Sequence, residues 1–146
     1  MRRRSMVVRD WMKRRVTTVR PDTRLSGAAK LMRVRKIRHL PVVEDAGRLV
    51  GIVTARDLRQ AMFAPAVQDE LENLPAVLAG LVVRDVMTRG VVSVRAATSI
   101  REAARLMHER RLGALPVVEH DRLVGILTET DVLDAFQRVL GAATSR

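Results

Sequence analysis

The chain has 146 residues, of which 47% are hydrophobic and 29% are charged, and it contains no cysteine. This composition is typical of a folded protein and excludes a disulfide framework and thiolate chemistry. The net charge is +11, and residues 1–60 hold 17 Lys and Arg against 5 Asp and Glu, which favours an anionic partner or a strongly solvated basic surface.

No feature of the sequence indicates membrane targeting. The arginines at positions 2 to 4 are not followed by an apolar stretch, so we do not expect a signal peptide. The longest uncharged apolar run, residues 74–83, is too short to span a bilayer. We therefore expect a cytoplasmic protein that does not bind a membrane.

Two copies of one sequence pattern make up most of the chain. Residues 8–12 return 75 positions later, and residues 39–44 return with the same shift at 114–119. Residues 48–54 return at 122–128, one position closer because the first copy has a longer turn. A residue that is the same in both copies has a role that both copies share, and a residue that differs indicates that the two copies have different roles.

The repeat predicts two domains, residues 8–62 and 82–138, joined by a linker at 63–81. A copy of about 70 residues is marginal for a core of its own, so we expect the two copies to share a joint core. The linker carries two prolines and an acidic patch, and its leucines at positions 71, 74 and 78 predict a short helix.

In the first copy, the β-branched run at residues 16–19 predicts a strand. A turn with a capping residue follows at 21–23 and leads into a helical pattern from Leu25 to about Lys36. The apolar runs at 40–43 and 49–53 predict two buried strands.

A second helix is predicted to begin at Thr54 and to end at about Met62. In the second copy, Thr98 is the predicted helix cap, and apolar residues follow it at the spacing of one helical face; these are Ile100, Ala103, Ala104 and Met107. Each copy therefore reads β-α-β-β-α, which is an α+β fold class.

Both copies carry the sequence Thr-x-x-Asp at the start of the last helix, with Asp57 in the first copy and Asp131 in the second. One interpretation is a capping box, in which the threonine and the acid satisfy free backbone groups. The other is a ligand site. A carboxylate accepts hydrogen bonds from both hydroxyls of a ribose, and a helix N-terminus favours a phosphate.

Taken together, these motifs resemble a known family. Two copies of β-α-β-β-α, each with Leu-Pro-Val-Val followed by Gly-Ile-Val/Leu-Thr-x-x-Asp, are similar to a pair of cystathionine-β-synthase-type (CBS) domains. The resemblance covers nearly the whole chain. It implies a pseudo-two-fold module with two clefts, which bind AMP, ADP, ATP or S-adenosylmethionine as a regulatory ligand, with no redox cofactor. No residue is predicted to be a metal ligand.

The resemblance also implies which residues form each cleft, because in this family each cleft uses both copies. The residues implied for the Asp57 cleft are Ile52, Thr54, Arg56, Asp57, Arg38 and His39 of the first copy, with Met87, Val92 and Leu112 of the second. The residues implied for the Asp131 cleft are Ile126, Thr128, Thr130 and Asp131, with Met12, Thr17, Ile37 and Arg38 of the first copy.

Several of these residues have a second interpretation. Met12 and Met87 are also explained by core packing, Arg38 by a surface position and His39 by packing. Arg56 of the first copy is replaced by Thr130 in the second, and arginine suits phosphate oxygens. We therefore predict unequal sites, with a nucleotide di- or triphosphate at Asp57 and a less charged adenosine ligand or none at Asp131.

The leading function is a sensor that changes conformation on ligand binding and regulates a partner protein in trans. No catalytic residues are predicted, because the sequence has no nucleophile arrangement, metal-ligand cluster or glycine-rich phosphate loop. One alternative is a nucleic-acid-binding protein that uses the basic N-terminal half. The low aromatic content of 2% disfavours it, because few side chains can stack on bases. Another alternative is a dimerisation scaffold with degenerate pockets.

The family resemblance further implies that two modules stack into a disk-shaped homodimer through their helices. Apolar helix residues are candidates either for that interface or for the core; they are Leu31, Leu58, Leu106, Leu133 and Phe136.

Overall fold

A computed structural model of the chain describes residues 5–62 and 79–144. The chain divides into two compact units. The terminal unit consists of residues 1–16 and 92–146, and the central unit consists of residues 17–91. Each unit therefore combines the larger part of one sequence copy with a short segment of the other.

In the central unit, β1 and β2 form an antiparallel hairpin in which His39 pairs with Thr54. The helices and strands described in this unit are α1 (Leu25–Arg35), β1 (His39–Glu44), β2 (Arg48–Thr54), α2 (Ala55–Met62) and α3 (Val83–Val86). Its buried core consists of Val19, Ala28, Met32, Leu40, Val42, Val53 and Val83.

In the terminal unit, β3 and β4 form the equivalent hairpin, with Ala114 paired to Thr128. The elements are α4 (Ile100–Arg110), β3 (Ala114–Glu119), β4 (Arg122–Thr128) and α5 (Glu129–Thr144), with a 3₁₀ turn at Val8–Asp10. The core consists of Val8, Met12, Val94, Ile100, Ala103, Met107, Leu115, Val117, Leu127 and Ala135.

These elements confirm the predicted α+β class and the predicted helices from Leu25 and from Thr54. The described buried residues form two clusters, one in each unit, and the expectation of a joint core stays a prediction. Each cluster nevertheless includes the other copy, since Val8 lies in the terminal core and Val83 in the central core. The helix predicted at 71–78 lies outside the described residues.

The prediction of a strand at residues 16–19 is wrong. Of these residues only Val19 pairs with another strand, through a parallel bridge to Val42. The Val19 N–H donates to the carbonyl of Pro41 at 3.1 Å, and the Val43 N–H donates to the Val19 carbonyl at 2.9 Å. The next ladder bonds on either side require N–H groups at positions 41 and 21, and both residues are prolines. Proline has no N–H, so the strand cannot extend.

The predicted cap of α4 is also corrected. Ser99 is the N-cap residue, and its hydroxyl accepts the Glu102 N–H at 3.0 Å. Thr98 instead accepts the Arg95 N–H at 3.0 Å and closes the preceding turn. In the first copy the N-cap of α1 is Arg24, which makes no side-chain capping bond.

No helix within residues 5–62 or 79–144 is both long and apolar enough to cross a bilayer.

Each unit contains a short segment of the other copy, with residues 12–13 in the terminal unit and residues 87–88 in the central unit. We call these the exchanged segments, and each passes unusually close to a glycine in the hairpin of its unit. A Cβ atom built on Gly51 would lie 2.7 Å from the Met87 sulfur and 3.0 Å from the Thr88 carbonyl oxygen. On Gly125, a Cβ would lie 2.6 Å from the Met12 sulfur and 2.9 Å from the Lys13 carbonyl oxygen. Only glycine leaves room for the exchanged segment, which explains why both copies carry it.

We expect Gly51→Ala to lower the free energy of unfolding by about 1–3 kcal/mol, because the added methyl overpacks a backbone contact. Urea denaturation followed by circular dichroism measures the change. Gly141→Ala in α5 is the control, since a Cβ there meets nothing within 4 Å and alanine favours a helix. Equal stability of the two variants would contradict the close approach.

Candidate functional site

The carboxylate of Asp57 is bound to the backbone where β2 ends and α2 begins. The Thr54 N–H donates to Asp57 Oδ2 at 2.8 Å, and the Asp57 N–H donates to the Thr54 hydroxyl at 3.1 Å. This reciprocal pair is a capping box, so the capping interpretation of Thr-x-x-Asp is confirmed in this copy. It uses only one carboxylate oxygen, and no hydrogen bond among the described residues reaches Asp57 Oδ1.

Basic residues lie close to this helix start along the backbone. Arg56 is exposed in the first turn of α2, next to the half-buried Asp57. The carbonyl of Arg38 accepts the Ala55 N–H at 2.9 Å, so the residue preceding β1 is fixed at the first turn of α2. His39 pairs with Thr54 across the hairpin and is half-buried. The structure thus brings Arg38, His39, Thr54, Arg56 and Asp57 together.

The segment that follows α3 adds residues of the second copy to this region. The Ile52 N–H donates to the Thr88 carbonyl at 3.0 Å, and the Thr88 N–H donates back to the Ile52 carbonyl at 2.9 Å. Met87 contacts the Gly51 backbone and packs against the central core. Met87 and Ile52 are therefore neighbours, and core packing accounts for at least part of the role of Met87.

The Asp131 carboxylate has a different set of partners. Its Oδ2 accepts the Thr128 N–H at 2.9 Å and the Thr128 hydroxyl at 3.1 Å. Its Oδ1 accepts the Lys13 ammonium at 2.6 Å. Asp131 is 5% exposed and is the one charged residue buried in the described part of the chain, whereas the Lys13 side chain is 57% exposed.

Lys13 was not among the residues predicted for this site. It is brought there by the exchanged segment, because Lys13 and Ile126 share two backbone hydrogen bonds of 2.9 Å. The signal was present in the repeat, since a shift of 75 residues aligns Lys13 with Thr88. A charged residue in one copy and a neutral residue at the equivalent position of the other indicate that the two positions have different roles.

The other residues predicted for the Asp131 site have different surroundings. Met12 is buried in the terminal core and contacts the Gly125 backbone. Ile126 is buried, and Thr130 is exposed in the first turn of α5.

Five predicted residues belong to the compact unit that does not contain the Asp they were assigned to. Val92 and Leu112 pack against the terminal core, whereas Asp57 belongs to the central unit. Ile37 packs against the central core, and the other two, Thr17 and Arg38, belong to the same unit. Their contribution to a ligand site stays a prediction.

The basic residues considered for nucleic-acid binding are partly engaged within the protein. Lys13 is paired with Asp131, whereas Arg9, Arg14 and Arg15 are exposed. Trp11 packs against the terminal core, and its indole N–H donates to the Ser5 carbonyl at 3.0 Å. The arginines at positions 2 to 4 lie outside the described residues.

The family model of the CBS domain matches residues 8–64 and 83–138. A CBS domain-containing protein of Dictyostelium discoideum is 35% identical over 136 residues, which cover 92% of this chain and 94% of that protein. A similar protein of nearly the same length is therefore also a CBS domain protein.

Two solved structures with bound ligands are similar to this chain. The crystal structure of CBSX2 in complex with AMP matches with a TM-score of 0.79 and 36% identity. The match covers 92% of this chain and 98% of the CBSX2 chain. The CBS domain pair of protein MJ0100, in complex with 5′-methylthioadenosine and S-adenosyl-L-methionine, matches with a TM-score of 0.75 and 27% identity. That match covers 89% of this chain and 98% of the MJ0100 pair.

The burial of Asp131 predicts unequal effects of removing either member of the Lys13–Asp131 pair. Lys13→Met leaves a buried carboxylate without its cation, so we expect a loss of about 1–3 kcal/mol in the free energy of unfolding. Asp131→Asn leaves an exposed ammonium that water solvates, and we expect a loss of about 1 kcal/mol or less. Urea denaturation measures both.

The matched control is Thr88→Met, which introduces the same residue at the equivalent position of the other copy. It is expected to change the free energy of unfolding by no more than about 0.5 kcal/mol. A larger loss for Asp131→Asn than for Lys13→Met would contradict this account of the pair.

Proposed function

Because the chain belongs to the CBS domain family, we propose that it is a regulatory module that binds an adenosine-containing nucleotide through Asp57. The observation that carries the proposal is the free acceptor of that carboxylate. One oxygen is held by the Thr54 N–H at 2.8 Å, and the other has no donor among the described residues. A ribose supplies two neighbouring hydroxyl donors of the kind a carboxylate binds strongly.

The capping box supports ligand binding rather than competing with it. The hydrogen bonds to Thr54 fix the position of the Asp57 side chain before any ligand arrives. A pre-oriented acceptor loses less conformational entropy on binding than a freely rotating one. Capping and binding therefore use different oxygens of the same group.

The charge around Asp57 favours a ligand with phosphates. Arg56 is exposed beside Asp57, and Arg38 is held at the first turn of α2 by its own carbonyl. Guanidinium groups match phosphate oxygens in geometry and charge, and the N-terminus of α2 adds a favourable dipole. We therefore propose AMP, ADP or ATP at Asp57 in preference to S-adenosylmethionine, whose sulfonium is cationic.

The ligands of similar proteins support the adenosine part of this proposal. AMP is present in the CBSX2 complex, and 5′-methylthioadenosine and S-adenosyl-L-methionine are present in the MJ0100 complex. All three contain an adenosine group with two ribose hydroxyls. The shared group is the part of the ligand that an aspartate at a helix start recognises.

The proposed output is a change in affinity for a partner protein. A ligand shifts a conformational equilibrium only if it binds one state more tightly than the other. The start of α2 is a suitable element, because Asp57 both caps the helix and binds the ligand. No catalytic step is part of this proposal.

We further propose that the module forms a homodimer through α5. Leu133, Phe136 and Leu140 are 60%, 56% and 48% exposed, and their spacing places them on one face of the helix. A self-complementary apolar face suits a two-fold interface. The other candidates, Leu31, Leu58 and Leu106, pack against the cores of their own units.

Asp57→Ala is expected to abolish the response of the protein to adenine nucleotides. A ligand that binds only the folded state raises the melting temperature, so thermal shift with AMP, ADP, ATP and S-adenosylmethionine measures binding. Asp131→Ala is the control and is expected to keep the nucleotide response. An Asp57→Ala protein that is folded and still stabilised by AMP would contradict the proposed site.

Phe136→Glu is expected to convert the dimer into a monomer, because it places a charge in the centre of the proposed α5 interface. Sedimentation velocity measures the mass. Arg138→Glu, an exposed position outside the proposed apolar set, is the control and should leave the dimer intact. A wild-type protein that is monomeric at high micromolar concentration would disprove the interface.

A further inference from the structure

The exchanged segments present different side chains at equivalent backbone positions in the two units. Lys13 shares two backbone hydrogen bonds with Ile126, and Thr88 shares two with Ile52. From these matched positions, the Lys13 ammonium reaches Asp131 at 2.6 Å. Thr88 is exposed, and its side chain makes no hydrogen bond among the described residues.

As a result, the two aspartates differ in the number of acceptors left for a ligand. Every oxygen of Asp131 has a partner, with Lys13 on Oδ1 and Thr128 on Oδ2. In Asp57, only Oδ2 has a donor within the part of the chain that the structure describes. Asp131 is 5% exposed, so its carboxylate also lacks open solvent access.

We propose that Lys13 closes the Asp131 site, so that the chain binds adenine nucleotide at Asp57 only. This inference rests on the proposed function and explains why a chain with two Thr-x-x-Asp sequences has one binding site. Lys13 is thus the residue that distinguishes the two sites. Its ammonium stands in for the hydroxyl donors of a ribose.

Competition favours the lysine over a ribose. Both donors make charge-assisted bonds to the carboxylate, but the ammonium adds a Coulomb attraction between opposite charges that a neutral hydroxyl does not supply. Lys13 is also part of the same chain and is held next to Asp131 by the Ile126 pairing, which gives it a high effective concentration. A ribose must displace it without offering a comparable charge.

The repeat supplies the variants for a reciprocal test on the full chain. Lys13→Thr installs the residue of the second copy, and we expect the binding stoichiometry for AMP to rise from one to two per chain. The added site is expected to depend on Asp131, so Lys13→Thr combined with Asp131→Ala should return to one. Isothermal titration calorimetry with AMP and with ATP measures the stoichiometry.

Thr88→Lys is the converse variant and carries the test even if Lys13→Thr fails to fold. We expect it to weaken AMP binding at Asp57 by about tenfold or more, equivalent to at least about 1.4 kcal/mol. Lys13→Arg keeps a cation beside Asp131 and is the conservative control, with one site expected. Circular dichroism checks that each variant is folded.

The outcomes separate this inference from the proposed function. Two sites in the wild type, one site in a folded Lys13→Thr protein, or unchanged AMP affinity in Thr88→Lys would overturn the inference while AMP binding at Asp57 stands. Absence of binding in both the wild type and Lys13→Thr would overturn both.

Discussion

The exchange of short backbone segments between the two sequence copies is the constraint on which the rest of this structure depends. Residues 13 and 88 each pair with the middle of the other copy's hairpin through two hydrogen bonds of 2.9–3.0 Å. Gly51 and Gly125 allow this approach because a side chain at either position would collide with a methionine and a carbonyl. Each compact unit is complete only with the segment of the other copy.

This exchange explains how a difference in the N-terminal segment becomes a difference in a site 118 residues away in the sequence. Lys13 reaches Asp131 because the exchanged segment is fixed against Ile126. At the equivalent place in the central unit, Thr88 leaves Asp57 without a cation from that segment. The two copies share the backbone pairing of these segments, and the side chain at position 13 or 88 decides whether the segment supplies a cation to the aspartate.

Much of the fold could be predicted from the sequence, because the repeat and the apolar spacing report local structure directly. The helices from Leu25 and Thr54 follow from that spacing. The run at residues 16–19 failed as a strand for a reason that was present in the sequence, namely Pro21 and Pro41. The Ser99 cap was missed because two adjacent hydroxyl residues compete for the cap, and propensity does not separate them.

The site was harder to predict than the fold. Thr-x-x-Asp allowed either capping or ligand binding, and the structure shows that the cap uses one oxygen of Asp57. The Lys13–Asp131 pair links residues that no local pattern connects, so only the alignment of the copies could have indicated it. The difference between Arg56 and Thr130 indicated unequal sites, whereas the difference between Lys13 and Thr88 gains a meaning only once the fold brings Lys13 to Asp131.

The central claim is that Asp57 Oδ1, which has no donor among the described residues, binds the hydroxyls of a ribose. A crystal structure of the full chain with millimolar AMP tests it most directly. The account predicts that AMP binds next to Asp57. The 2′- and 3′-hydroxyls of the ribose donate hydrogen bonds to Oδ1, while Oδ2 still accepts the hydrogen bond from the Thr54 N–H. An AMP molecule bound without contact to Asp57, or a crystal that contains no nucleotide at that concentration, would contradict it.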